Sequence, residues 1–143
     1  MNPLPPLLRD QRKVDAEHLN LLAIFHFVIA GLGLLGIAFL LLHYALMSTI
    51  FDNPKMWEGQ KGGPPPAEFF AIFKVLYVVG AVFFVGFGVV NVISGLSIRA
   101  RKRRTFSLVV AGLNCILIPL GTALGVFSIV VLMRDSVREL YQD

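Results

Sequence analysis

Few side chains in this 143-residue chain are equipped for chemistry, and several of those lie inside oily stretches. His26, Asn91 and Asn114 are the most telling. A neutral imidazole donates from one nitrogen and accepts at the other, and a carboxamide does both. Three such groups at one depth among helices would hydrogen-bond to each other. His26 lies about six residues into the first apolar block, Asn91 about seven from the end of the second, and Asn114 about nine into the third. At 1.5 Å rise per residue, all three fall about 9–14 Å from one membrane face. The sequence therefore predicts a single polar cluster. As structure, it would be glue between helices, contributing up to about 1.7 kcal/mol per contact in lipid. As function, it would be a ligand or ion site, because an ionisable group inside a bilayer is a functional candidate.

The other reactive groups offer less. Lys74, also within an apolar block, is expected to extend its ammonium toward the interface; His43 and Tyr44 lie at similar depth as partners or as part of an aromatic belt. His18 and His26 are too far apart along a helix to ligate one metal. Cys115 is the lone cysteine and can form no intrachain disulfide. Beyond Glu68 at the very start of the second block, no acidic residue lies within the apolar blocks, which removes the carboxylate relay of a proton-driven carrier. No HExxH, CxxC, Walker or GxSxG pattern occurs. The expectation is a protein that is not an enzyme and has no cofactor, catalytic residue or metal.

The elements that hold these groups are dictated by composition. The chain is 56% hydrophobic and 15% charged, against about a quarter charged for soluble domains, and its mean hydropathy is +0.73. The apolar residues are gathered into blocks 19–47, 67–98 and 105–133. Each would form a helix roughly 43–48 Å long, beyond the ~30 Å hydrocarbon core. The bilayer is thus the expected apolar solvent, and an all-α polytopic membrane protein with three transmembrane helices is the predicted fold. Residues 1–18 form an N-terminal segment, 19–133 one membrane domain and 134–143 a tail; Asp15 reads as an N-cap.

Charge sets orientation. Five of the 13 cations stand in RARKRR, as Arg99, Arg101, Lys102, Arg103 and Arg104. Between two spans they read as a topological signal and a contact for anionic headgroups, not as a nucleic-acid site. With three crossings, eight Lys and Arg lie on the side of the N-terminus and four on the other. The N-terminus is expected in the cytoplasm and the C-terminus outside.

Each span carries small and polar residues on one stripe. In the last, Ser107, Ala111, Asn114, Ile118, Gly121, Thr122, Gly125 and Ser128 fall within about 120° of a continuous helix. Small residues let helix backbones approach closely. Pro119 and Gly121 admit two outcomes: a kink in one crossing helix, or a re-entrant hairpin. The hairpin gives ten cations against two and so suits the charge rule better. Arms of about 13 residues reach only ~20 Å, however, too short to cross. Length favours the single helix kinked at Pro119.

The blocks DAEHLNLLAIFHFVIAGLGLLG and RTFSLVVAGLNCILIPLGTALGVFSIVVL, the latter with a Pro-x-Gly-Thr-x-Leu-Gly pattern at Pro119, Gly121, Thr122, Leu124 and Gly125, resemble small uncharacterised bacterial integral membrane proteins. The resemblance covers the first and last thirds of the chain. It implies a multi-pass protein of the bacterial inner membrane and carries no activity with it. The combined expectation is a non-enzymatic scaffold or accessory subunit, working as a homo-oligomer or with another membrane protein in the lipid bilayer. The alternative is an oligomeric channel or small-solute pathway lined by the three polar residues.

Overall fold

The computed structural model describes residues 6–59 and 62–141, with side chains described from Asp10 onward. Among these residues there are helices and no strands. Helix α1 runs Pro6–Phe51, α2 Ala67–Arg99, α3 Arg104–Asn114, α4 Leu120–Leu132 and α5 Asp135–Arg138, with a single 3₁₀ turn at Pro54–Met56.

Proline placement explains the lengths. No proline falls between Pro6 and Pro54, nor within 67–99, so nothing interrupts the backbone ladder of the 46-residue α1 or the 33-residue α2. Helix α1 stops at Asp52-Asn53-Pro54, where the Asn53 side chain accepts from the Lys55 amide at 3.1 Å. Because α1 already begins at Pro6, Asp15 is not its N-cap. It lies inside the helix and is fully buried.

The end of α2 is built by the basic loop. Arg101 adopts a left-handed backbone, φ 54°. The Lys102 amide bonds back to Ser97 O at 2.9 Å and the Arg101 amide to Ile98 O at 3.1 Å. This pair of bonds is a Schellman cap. Glycine is the usual residue there; an arginine in that conformation costs about 1–2 kcal/mol.

The third apolar block departs from the single kinked helix. After α3 the chain turns through Cys115–Pro119, with a cis Ile118–Pro119 bond, and α4 runs back along α3. The Arg104 Nε–H, at the start of α3, donates to Leu132 O, at the end of α4, at 2.6 Å. The physical reason is close approach. A Cβ on Gly125 would fall on the Ala111 carbonyl oxygen and 2.5 Å from Cys115 Sγ. One on Gly121 would fall on the Asn114 carbonyl oxygen and 2.6 Å from Leu117 Cβ. Two glycines one turn apart thus let the backbones touch, as small-xxx-small pairs do between membrane helices. Pro119 marks a reversal.

Several backbone groups of the reversal bond to one another. The Cys115, Ile116 and Leu117 amides bond to Ala111, Leu113 and Asn114 carbonyls, and the Thr122 amide to Leu117 O. The Thr122 hydroxyl donates to Cys115 O at 2.8 Å. The side chains at the tip are apolar and bare: Ile116, Ile118 and Leu120 are all strongly exposed. Ile118 therefore leaves the packing stripe that a continuous helix assigns it.

The described chain forms two compact units. One comprises residues up to Gly31 together with Val89 onward, and the other is Leu32–Gly88. The first has a closed core of Leu19, Leu22, Ile98, Val110, Val131, Leu132 and Val137, all at most 2% exposed. Within it, Gly95 of α2 lies against the Ala23 carbonyl and the Phe27 ring of α1. The second unit is a pair of helix segments and their loop. There Gly33 of α1 faces the Phe84 carbonyl and Gly88, Gly36 faces the Phe84 ring, and Gly80 meets Leu40.

Candidate functional site

The first unit contains the polar cluster. Three helices contribute one residue each: His26 from α1, Asn91 from α2 and Asn114 from α3. Asn91 Oδ1 accepts from His26 Nδ1 and from Asn114 Nδ2, both at 2.9 Å. All three residues are wholly buried. In a neutral ring, donation from Nδ1 makes His26 Nε2 an acceptor.

Other polar side chains of this unit are buried as well. Ser94, one turn beyond Asn91, and Ser107 and Ser128, on facing helices of the hairpin, are also fully buried. His26 Nε2, Asn114 Oδ1 and the Ser94, Ser107 and Ser128 hydroxyls have no hydrogen-bond partner among the described residues. A buried polar atom left unbonded costs about 1–3 kcal/mol, so these five, with Asp15 Oδ2 and the Tyr141 hydroxyl in the same unit, are an unusual load. Neutral donors and acceptors dominate this interior. Among the described residues, no group of three or more His, Cys, Asp or Glu is arranged to hold a metal ion.

Toward the start of α1 the interior becomes charged. The buried Asp15 carboxylate accepts from Gln11 Nε2 at 3.0 Å and faces Arg134 Nη1 at 3.4 Å. The same guanidinium nitrogen donates to His18 Nδ1 at 3.2 Å. Arg12 and Glu139 approach to 3.8 Å on the surface above. Tyr141 closes this end; burial pushes its hydroxyl up to about 12, with Arg104 and Arg101 opposing. It is therefore uncharged across the physiological range.

The remaining cations of RARKRR divide. Arg99, Arg101, Lys102 and Arg103 are exposed. Arg104 turns inward to bond the last carbonyl of α4, a favourable place for a cation at a helix C-terminus. Sequence reasoning missed both this inward role and the Asp15–Arg134 pair, whose members are 119 residues apart. Only the hairpin carries Arg134 back to α1. A signal existed, since the two extra cations of the tail already favoured that reversal under the charge rule.

No protein family, curated relative or solved structure matches the chain. What can be said of its class rests on its own geometry: an all-helical chain with two helices long and apolar enough, by length and composition, to cross a membrane, and a shorter apolar pair folded back on itself.

Proposed function

We propose that the chain is a multi-pass protein of the bacterial inner membrane in which α1 and α2 each cross once and α3–α4 dips in and returns. Two observations support the dip. Eleven and 13 residues give arms of only about 16 and 20 Å, short of the ~30 Å core. The side chains at the tip are apolar and exposed, as those facing hydrocarbon are, and the amides of Cys115, Ile116, Leu117 and Thr122 are bonded within the turn. The N- and C-termini then share the cytoplasmic side with RARKRR, ten cations against two.

Within that arrangement the chain serves as a non-enzymatic scaffold or accessory subunit, joined to copies of itself or to another membrane protein. The observation that carries this reading is the flank of α2: only 6% of its most apolar window is buried inside the chain, while the polar groups of the first unit are sealed from the surface. Tags on both termini provide the test of placement. Both are expected to be accessible from the cytosol only, and an extracytoplasmic C-terminus would exclude the hairpin topology. Cross-linking in the native membrane tests the subunit role, with a discrete adduct expected. A chain that stays monomeric and unlinked would count against it.

The buried polar atoms of the first unit without a partner among the described residues favour one second reading, a small-solute pathway through an oligomer. Flux in liposomes that disappears in an Asn114→Leu protein still folded as the parent would replace the scaffold reading.

A further inference from the structure

The second unit holds a site of a different kind. A cleft of about 350 Å³ opens between the end of α1 and the start of α2, within the size range of small-ligand sites. Phe51, Phe70, Phe73 and Tyr77 give it aromatic walls. Phe51 and Phe70 lock edge-to-face with ring centres 4.5 Å apart, and the Trp57 ring lies parallel to Phe51 at 5.9 Å, its indole N–H held by Phe51 O at 3.3 Å. The cleft is thus a fixed aromatic trough.

Two opposite charges line the same trough, Lys74 and Asp52. Neither side chain makes a hydrogen bond or ion pair among the described residues. Lys74 stands about two turns into α2, roughly 10 Å along the helix from its start, while Asp52 follows the end of α1. A cation one step deeper than an anion, beside an apolar wall, matches a molecule with an inner negative group, an outer positive group and a hydrocarbon tail.

We infer that this cleft binds one zwitterionic phospholipid, its phosphate on Lys74, its ammonium on Asp52 and an acyl chain along Phe70, Phe73 and Tyr77. The assignment rests on the membrane placement proposed above. It explains why an ammonium is kept inside an apolar helix without a partner among the described residues: the counter-ion comes from the lipid, through a charge-assisted bond. The aromatic faces can also receive a quaternary ammonium by cation–π attraction.

The test is native mass spectrometry of the full-length protein released from nanodiscs containing equal parts phosphatidylethanolamine, phosphatidylcholine and phosphatidylglycerol. One zwitterionic lipid per chain is expected to be retained in preference to phosphatidylglycerol. Lys74→Gln and Asp52→Asn are each expected to lower that retention about fivefold or more, and Lys55→Gln, on the loop outside the cleft, to leave it unchanged. Preference for phosphatidylethanolamine assigns a hydrogen-bonded ammonium, and preference for phosphatidylcholine an aromatic-held one; either supports the site. Equal retention of all three lipids, or retention that survives both substitutions, overturns it. So does phosphatidylglycerol bound as well as the zwitterions with dependence on Lys74 alone. Alkaline carbonate extraction of each variant separates this failure from failure of the membrane placement: a variant still in the pellet has lost its lipid site only.

Discussion

The two units of this chain solve the same packing problem in opposite ways. The first unit, with α3, α4 and α5 packed around parts of α1 and α2, buries aliphatic side chains and eight polar or charged residues, from Asp15 to Ser128. The second has two helix segments, glycine contacts at Gly33, Gly36 and Gly80, and an outer surface of bare Val, Leu, Ile and Phe. The lesson concerns where the apolar solvent is. The first unit supplies its own interior and can therefore afford polar groups there. The second has too few elements to close a core, and most of its apolar side chains stay exposed on the chain. Substitutions should thus act through internal packing in one unit and hardly at all on the exposed flank of the other.

The sharpest way to break that contrast is Gly125→Leu. An isobutyl group where even a Cβ collides with Ala111 O and Cys115 Sγ should separate α3 from α4, at a cost of about 3 kcal/mol or more. Cys115, the only thiol and half-buried, reports it directly: maleimide labelling should accelerate severalfold. An unchanged rate would mean that the hairpin is not held by this contact.

Asn91→Leu comes next. It deletes the acceptor shared by His26 and Asn114 and leaves two buried donors unbonded, for a loss of about 2 kcal/mol in unfolding titrations. Adding Asn114→Leu should cost less than its effect alone, because one orphan is removed with its partner. Strict additivity in that cycle would argue against a cooperating cluster.

Asp15→Asn removes the buried partner of a half-exposed Arg134, and about 1–2 kcal/mol is expected once solvent screening is allowed for. Its signature should be faster proteolysis beyond Met133 with the rest of the chain intact. Tyr141 supplies a pH dependence of known sign. With its folded value raised to about 12, from an ordinary value near 10, its contribution is complete below pH 10 and is lost as pH rises toward 12. A tyrosinate absorbance titration, compared with Tyr141→Phe, measures that shift.

The smallest effect is expected in the second unit. Val82, 68% exposed on α2, should tolerate Ala with a change under about 0.5 kcal/mol in the monomer. A larger loss, seen only at concentrations where cross-linked species form, would identify that flank as a subunit contact.

Much of this was legible in the residues. The stretches free of proline mark α1 and α2, and the matched depth of His26, Asn91 and Asn114 points to the place where three helices meet. Asp15 and Arg134 were not legible as partners, because neither local pattern nor spacing relates residues so distant along the chain. The inward turn of Arg104 was hidden among five similar neighbours; no local feature distinguishes the one that meets a helix end.

Pro119 draws the line between the two kinds of information. By itself the sequence determined how much apolar length there is, where helices cannot continue, and which small residues permit backbones to touch. A bend and a reversal at Pro119 satisfy those local rules equally well. Tertiary structure chose the reversal, because Gly121 and Gly125 find the α3 backbone at contact distance and Arg104 finds the free carbonyl at the end of α4. Both gains exist only after the chain has folded back, so they depend on positions in space that no window of sequence contains.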